Sequence, residues 1–261
     1  MKKPKLKVSV PLSMLAGVLL AGVLLPLAAQ AQGTVRLYAG PAKTTYKITF
    51  DNNADSRYRN KTAKADYTAT NVGLTWVSSI GLYVDLSGQQ SGNATHDLWT
   101  DRTSQPQDFS HTSYLLTVGY SRVFDRGGSL SGFGGFKSGR TELAAPRPPL
   151  PWSQDKFDSR GIFVGMGGGF PALGGQFSAS GAIGIMSGKW TDDNGFDNSA
   201  DSTLGYSAGF GYTYKFTQSL GLTADYKFQM YNYDFSVYAT TPEYTVKEKI
   251  SSLGLRLSYQ F

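Results

Sequence analysis

The chain contains no cysteine and only two histidines, His96 and His111, in 261 residues. The absence of cysteine excludes disulfides and the lipid-modified cysteine of a lipoprotein. Beyond residue 31 no run of about 18 consecutive apolar residues occurs, which excludes a helical membrane protein. The apolar run that does exist, "VSVPLSMLAGVLLAGVLLPLAA", follows the basic "MKKPKLK" and precedes Ala29-Gln30-Ala31, a small-residue cleavage pattern. These features predict a secretory signal peptide over residues 1–31, cut before Gln32, and a mature domain over 32–261. An uncleaved anchor is the alternative, and the Ala-x-Ala site with Pro26 ahead of it favours cleavage. The formal charge of +6 is also mostly in the leader. Removing Lys2, Lys3, Lys5 and Lys7 leaves 21 basic against 19 acidic residues, a net +2. The high isoelectric point is therefore no sign of nucleic-acid binding.

The whole chain carries 31 glycines, 16 tyrosines and 15 phenylalanines, all but two of the glycines beyond residue 31, and the apolar residues there alternate. In the last ten residues, "SLGLRLSYQF", Leu253, Leu255, Leu257, Tyr259 and Phe261 share one face, while Gly254, Arg256, Ser258 and Gln260 share the other. Period 2 is the mark of a β-strand whose faces meet different media. The same pattern predicts strands near 34–50, 65–78, 80–88, 112–124, 128–142, 158–170, 175–190, 202–217, 219–234 and 244–261. In "SGFGGFKSG" and "GIFVGMGGGF" the glycines leave the facing open. A soluble sandwich and a membrane barrel both alternate in this way. Tyr and Phe gather towards strand ends on the apolar face, as rings at membrane interfaces do, and this favours the barrel. Connections alternate too: "SSIG", "FDRGGS", "FPALGG" and "KFTQ" are short, while 51–64, 89–111, 143–157, 191–201 and 235–243 are long and polar.

The mature chain resembles small Gram-negative outer-membrane β-barrels over its whole length. Gly254, Leu257, Tyr259 and the terminal Phe261 are similar to the C-terminal signal that the barrel-assembly machinery reads. The resemblance implies an all-β, antiparallel up-and-down transmembrane barrel of about ten strands (eight or twelve as the error bar), monomeric and located in the outer membrane. Its termini would lie on the short-turn side, and lipid and lipopolysaccharide would be its surroundings. It implies no cofactor. Such barrels include proteases, lipid-modifying enzymes, adhesins, channels and structural proteins, so the fold leaves the activity open.

Candidate sites follow from side-chain chemistry. His96 and His111, with Asp97, Asp101, Asp108 and Ser110 nearby, are the residues a hydrolase would need. Omptin-type proteases use Asp-Asp and Asp-His pairs, and no Asp-x-His occurs here. The oxygen-rich "TDDNGFDNSADS" (Asp192, Asp193, Asn194, Asp197, Asn198, Asp201) lacks the spacing and closing Glu of an EF-hand, and reads as a polar turn rather than a metal site. Arg57, Arg59, Lys61 and Lys64 would lie outside the barrel, where cations pair with lipopolysaccharide phosphates or simply stay hydrated. "APRPPLPW" predicts a stiff polyproline-like arm ending at Trp152. If the apolar faces meet lipid, Tyr83, Asp85, Lys215, Asp225, Lys227 and Arg256 face the lumen. There charges must be paired or hydrated, with Asp225 opposite Leu255 and thus beside Arg256. The inward glycines leave room for water. The favoured role is surface binding, adhesion or envelope structure without catalysis, the alternative a narrow passive channel for small solutes, and the third an outer-membrane hydrolase or lipid-modifying enzyme.

Overall fold

The computed structural model describes residues 33–51, 61–92, 94–96, 107–147, 150–191, 195, 197–200, 203–235 and 244–261. The expected leader, Arg57, Arg59, Asp97, Asp101, Asp192, Asp193, Asn194 and Asp201 lie outside the described residues.

The strands are β1 (Gly33–Asp51), β2 (Lys61–Ser78), β3 (Leu82–Ser91), β4 (Ala94–His96), β5 (Gln107–Val123), β6 (Ser129–Arg147), β7 (Leu150–Ala172), β8 (Gly175–Thr191), β9 (Asp197–Ser199), β10 (Thr203–Lys215), β11 (Leu220–Phe235) and β12 (Tyr244–Gln260). Ten of them are long and pair antiparallel with their chain neighbours, and β12 returns to pair with β1, so the sheet closes. The short β4 pairs with β5 and the short β9 with β8, both at the long-loop end. Closure removes the edges that an open sheet leaves unpaired. The ten expected strands are the ten long ones.

Four tight turns close the end that also carries both termini. In the two-residue turn between β7 and β8, Leu173 and Gly174 both have positive φ (52° and 75°), as the right-handed twist of a hairpin demands. At the opposite end the strands run further than the periodicity suggested. The expected long loop over 143–157, with "APRPPLPW" as its stiff arm, is a correction: β6 continues to Arg147 and β7 begins at Leu150, with the register shifting between Ala145 and Arg147. Pro146 sits where the register shifts, a place where a missing N–H is tolerated, and Pro148 and Pro149 lie outside the described residues.

The outer wall carries an exposed apolar belt. Leu253, Leu255, Leu257 and Tyr259 of β12 continue into Leu222 and Tyr226 of β11, Leu204, Tyr206, Phe210 and Tyr214 of β10, Ile183 and Ile185 of β8, and Ile162, Val164 and Met166 of β7. Leu130 and Phe136 of β6 and Leu116, Val118 and Tyr120 of β5 extend it. On β10 the belt spans Leu204 to Tyr214, ten steps of about 3.4 Å each; with the strand tilt of such barrels this gives the apolar height of about 25 Å that they show. The facing of β6 and β7 is thereby settled: Phe133, Lys137 and Phe163 point inward, and Phe136, Ile162 and Val164 outward.

Candidate functional site: the barrel interior

The interior has two layers. Above the belt, towards the long loops, the inward residues are large and apolar. Tyr46 and Ile48 (β1), Tyr67 (β2), Phe109 and His111 (β5), Leu143 (β6), Phe157 (β7), Tyr233 and Phe235 (β11), and Val246 and Ile250 (β12) are all buried. Their rings interlock: Tyr46–Phe109 at 5.3 Å between centroids, Tyr67–Phe109 at 5.2 Å and Phe157–Tyr233 at 5.0 Å. These are separations at which tilted and edge-on pairs attract. Tyr233 is 0% exposed, so this layer is a plug.

Two charges thread it. Glu248 is buried at 1% exposure and accepts the Tyr233 hydroxyl at 3.1 Å. Lys137, at the lower rim of the plug, donates to Gln229 Oε1 (3.2 Å) and to the Tyr231 hydroxyl (2.9 Å), with its Nζ 4.2 Å from the Tyr231 ring centre. Glu248 and His111 stand above the belt, outside the membrane-spanning part of their strands. Burial pushes the Glu248 carboxyl up, against the Lys137 charge that pulls it down. Burial, and secondarily the same lysine, pushes the His111 imidazole down to about 3. Its Nδ1 lies 2.9 Å from the Thr141 hydroxyl.

Below the plug the layer is polar and its walls are small. The Tyr38 hydroxyl donates to both Asp85 carboxylate oxygens (3.2 and 3.1 Å), and Thr75 donates to one of them at 2.6 Å. Arg256 Nε donates to Asp225 Oδ1 at 2.9 Å, and its guanidinium lies 5.0 Å from the Tyr38 ring centre. Asp225 lies opposite Gly254, one residue from the expected Leu255, so the arginine reaches it diagonally. A Cβ at Gly254 would come within 3.0 Å of the Asp225 carboxylate. A cavity of about 280 Å³ remains, lined by Tyr83, Asp85, Phe133, Phe163, Ser180 and Lys227 among others. Beside the inward glycines, aromatic rings occupy part of the space. Tyr38 lies opposite Gly73, Tyr83 opposite Gly119 and Tyr231 opposite Gly205, each ring where a Cβ would stand.

The hydrolase constellation does not assemble on β5. His111 faces the interior, whereas Asp108 and Ser110, of opposite parity, face outward. His96 ends β4. Asp197 is engaged by Lys189 (2.7 Å) and by the Thr191 hydroxyl (2.6 Å), and the hydrogen bond from the ammonium holds its carboxyl below the usual range. Lys61 opens β2, and Lys64 faces outward, paired with Asp66 at 2.9 Å. Leu257 and Tyr259 face lipid, and the Phe261 N–H donates to the Val35 carbonyl at 2.9 Å, binding the end of the chain to its start. Lys137, Glu248 and Tyr38 escaped the sequence reading. Continuing the parity of Leu253 backwards along "YTVKEKISS" places Glu248 inside and Lys247 and Lys249 outside, and that signal was present.

No protein-family model and no curated protein matches the chain. Solved structures do. The outer membrane protease OmpT from Escherichia coli aligns over 88% of this chain and 96% of its own, at 10% identity and a TM-score of 0.59. The translocator domain of the autotransporter NalP from Neisseria meningitidis aligns over 95% and 98%, at 12% identity and a TM-score of 0.48. Likeness at such identity speaks for the fold alone. With the closed ten-stranded sheet and the apolar belt, it makes the chain an integral β-barrel of the bacterial outer membrane.

Proposed function

We propose that the protein is a non-conducting barrel that holds its long-loop end rigidly above the outer membrane, as a platform for surface binding or adhesion. The observation that supports this is the plug: buried rings from five strands, with Tyr233 at 0% exposure and Tyr46 and Phe157 at 1%, fill the lumen together with Leu143, Val246 and Ile250 between the polar lower layer and the long-loop end. A solute path would require the plug to unpack, at several kcal/mol for each large side chain moved. Single-channel recording in planar bilayers tests the reading. The expected result is no sustained opening, and steady, well-resolved unitary steps from the unmodified protein overturn it.

The narrow passive channel is the second reading. The observation that favours it is the cavity beneath the plug, with Lys227 and Asp85 in its wall. A hydrolytic role has less support, since His111 and the β5 residues Asp108 and Ser110 face opposite sides of the wall. Biogenesis belongs to the same proposal. Phe261 serves recognition by the assembly machinery more than stability, so its deletion lowers insertion in cells while leaving refolding into detergent nearly intact; equal losses in both assays reject this role.

A further inference from the structure

On the outer wall just above the belt, Lys249 of β12 lies directly opposite Lys47 of β1, and Lys47 lies directly opposite Lys64 of β2. Three ammonium groups thus stand in one row across three neighbouring strands, at the seam where the barrel closes. Lys43 stands four residues below Lys47 on the same outward face, and Lys247 two residues above Lys249. Lys43, Lys47, Lys64 and Lys249 are exposed. Lys64 has Asp66 as its partner, but among the described residues Lys43, Lys47 and Lys249 form no ion pair. Like charges directly opposite in a sheet repel. The far side of the barrel avoids this: Arg140 grips Asp158 through two hydrogen bonds (2.6 and 3.1 Å), and Lys189 holds Asp197.

We propose that this row binds the phosphate groups of an outer-leaflet glycolipid, whose acyl chains lie on the wall below it. Height is the first reason. Lys43 follows the outward Pro41 by two residues, about 7 Å along the strand, and Lys249 precedes Leu253 by four. The ammonium groups therefore sit in the headgroup layer that flanks the hydrocarbon. Shape is the second. Below Lys43, which lies opposite Leu253 of β12, the outward residues of β1 are the small Pro41 and Ala39; Leu257 of β12 lies opposite Ala39, and Thr70 and Val72 of β2 lie opposite Pro41 and Ala39. That gives a shallow channel floored by small side chains, walled by leucines on the β12 side and by a threonine and a valine on the β2 side, suited to a lipid chain. Charge is the third: a phosphate between neighbouring lysines converts their repulsion into paired attraction. The site is independent of whether the lumen conducts.

The test uses the mature full-length chain refolded into phosphatidylcholine bilayers, with and without purified lipopolysaccharide. The triple variant Lys43→Gln/Lys47→Gln/Lys249→Gln should retain about tenfold less lipopolysaccharide, the effect of losing three exposed ion pairs together. Lys189→Gln, on the neutralised side, should retain it as the parent does. Removing Lys47 alone should leave the barrel as stable as the parent, or more so, in phosphatidylcholine, while abolishing much of the added stability that lipopolysaccharide confers. Equal retention by the triple variant overturns the proposal. So does equal binding of dephosphorylated lipopolysaccharide, or a loss of stability in Lys47→Gln that is the same in both bilayers. If inorganic phosphate alone competes the glycolipid away completely, the row is a free-anion site and the lipid assignment fails.

Discussion

Along a single strand the protein turns inside out. In the lower half of β12, Leu253, Leu255, Leu257 and Tyr259 face outward at roughly half exposure, while Ser252, Arg256 and Ser258 face the lumen. In the upper half the parity is unbroken but the chemistry inverts: Lys247 and Lys249 face outward, and Val246, Glu248 and Ile250 are buried inside. The same inversion occurs on β1 between Pro41 and Lys43, and on β7 between Ile162 and Arg160. The lower half is a wall between lipid and a polar interior. The upper half is a barrel with its own hydrophobic core, standing in water. Alternation thus reports which residues share a face, and only the solvent decides which face is apolar.

The largest effect that separates the halves should come from the plug. Phe157→Ala or Tyr233→Ala removes a ring packed on all sides, and about 3–5 kcal/mol should be lost in urea unfolding of the refolded barrel. Phe163→Ala, whose ring already borders the 280 Å³ cavity, should lose markedly less. Equal losses would mean that the two layers are equally packed. Next comes the outer surface. Arginine at Ala208 or Leu222, outward within the belt, should cost on the order of 2–4 kcal/mol, whereas at Thr68, outward on the upper half of β2, it should cost under about 1 kcal/mol. A similar penalty at Thr68 would move the hydrocarbon boundary up the barrel and erase the comparison.

These boundaries explain what could and could not be read from the chain. All ten wall strands were legible because belt residues such as Leu204–Tyr214 alternate without interruption and the short turns carry Gly81, Gly127 and Gly174. The upper strand ends were not, since polar outward residues such as Lys64, Asp108 and Lys156 read as loop when the buried partners between them go unnoticed. The proline-rich tip misled for a related reason: extended backbone suits a polyproline arm and a bulged hairpin equally. The interior charges Asp85, Asp225, Lys227 and Arg256 were placed on the correct face by parity. The pairing itself depended on register, and a loop of uncertain length leaves that open by one residue. The inward glycines of β6 and β7 were opaque, because their partners are rings on neighbouring strands, a match that no single strand contains.

Within the polar half, the Asp225–Arg256 pair offers a finer test. Its side chains are 21% and 29% exposed, so the coupling should fall between that of surface and buried pairs, about 1–2 kcal/mol in a double-mutant cycle. Asp225→Asn or Arg256→Gln alone should destabilise more than the two together, since each alone leaves a charge without its partner. If the single losses simply add, the lower layer is wet enough for water to replace either partner.

The smallest effect tests how dry the upper half is. His111 is held neutral down to about pH 3, while in the unfolded chain it titrates near 6.5. Because the native state refuses a proton that the unfolded state accepts, stability falls as pH drops through the window from about 6.5 to 3. The slope is up to about 1.4 kcal/mol per pH unit for one proton, so roughly 1 kcal/mol should be lost at pH 5.5. Glu248 works in the opposite sense: its raised folded value makes its contribution complete below the unfolded value and lost as pH rises through the folded one. The parent alone therefore shows only the sum. The difference between the parent and His111→Gln isolates the histidine, and the variant should gain on the parent steadily as urea midpoints are followed from pH 7 to pH 5. Parallel curves would mean that His111 protonates within the fold, with water reaching the plug, and the upper half would then be an interior as permeable as the lower.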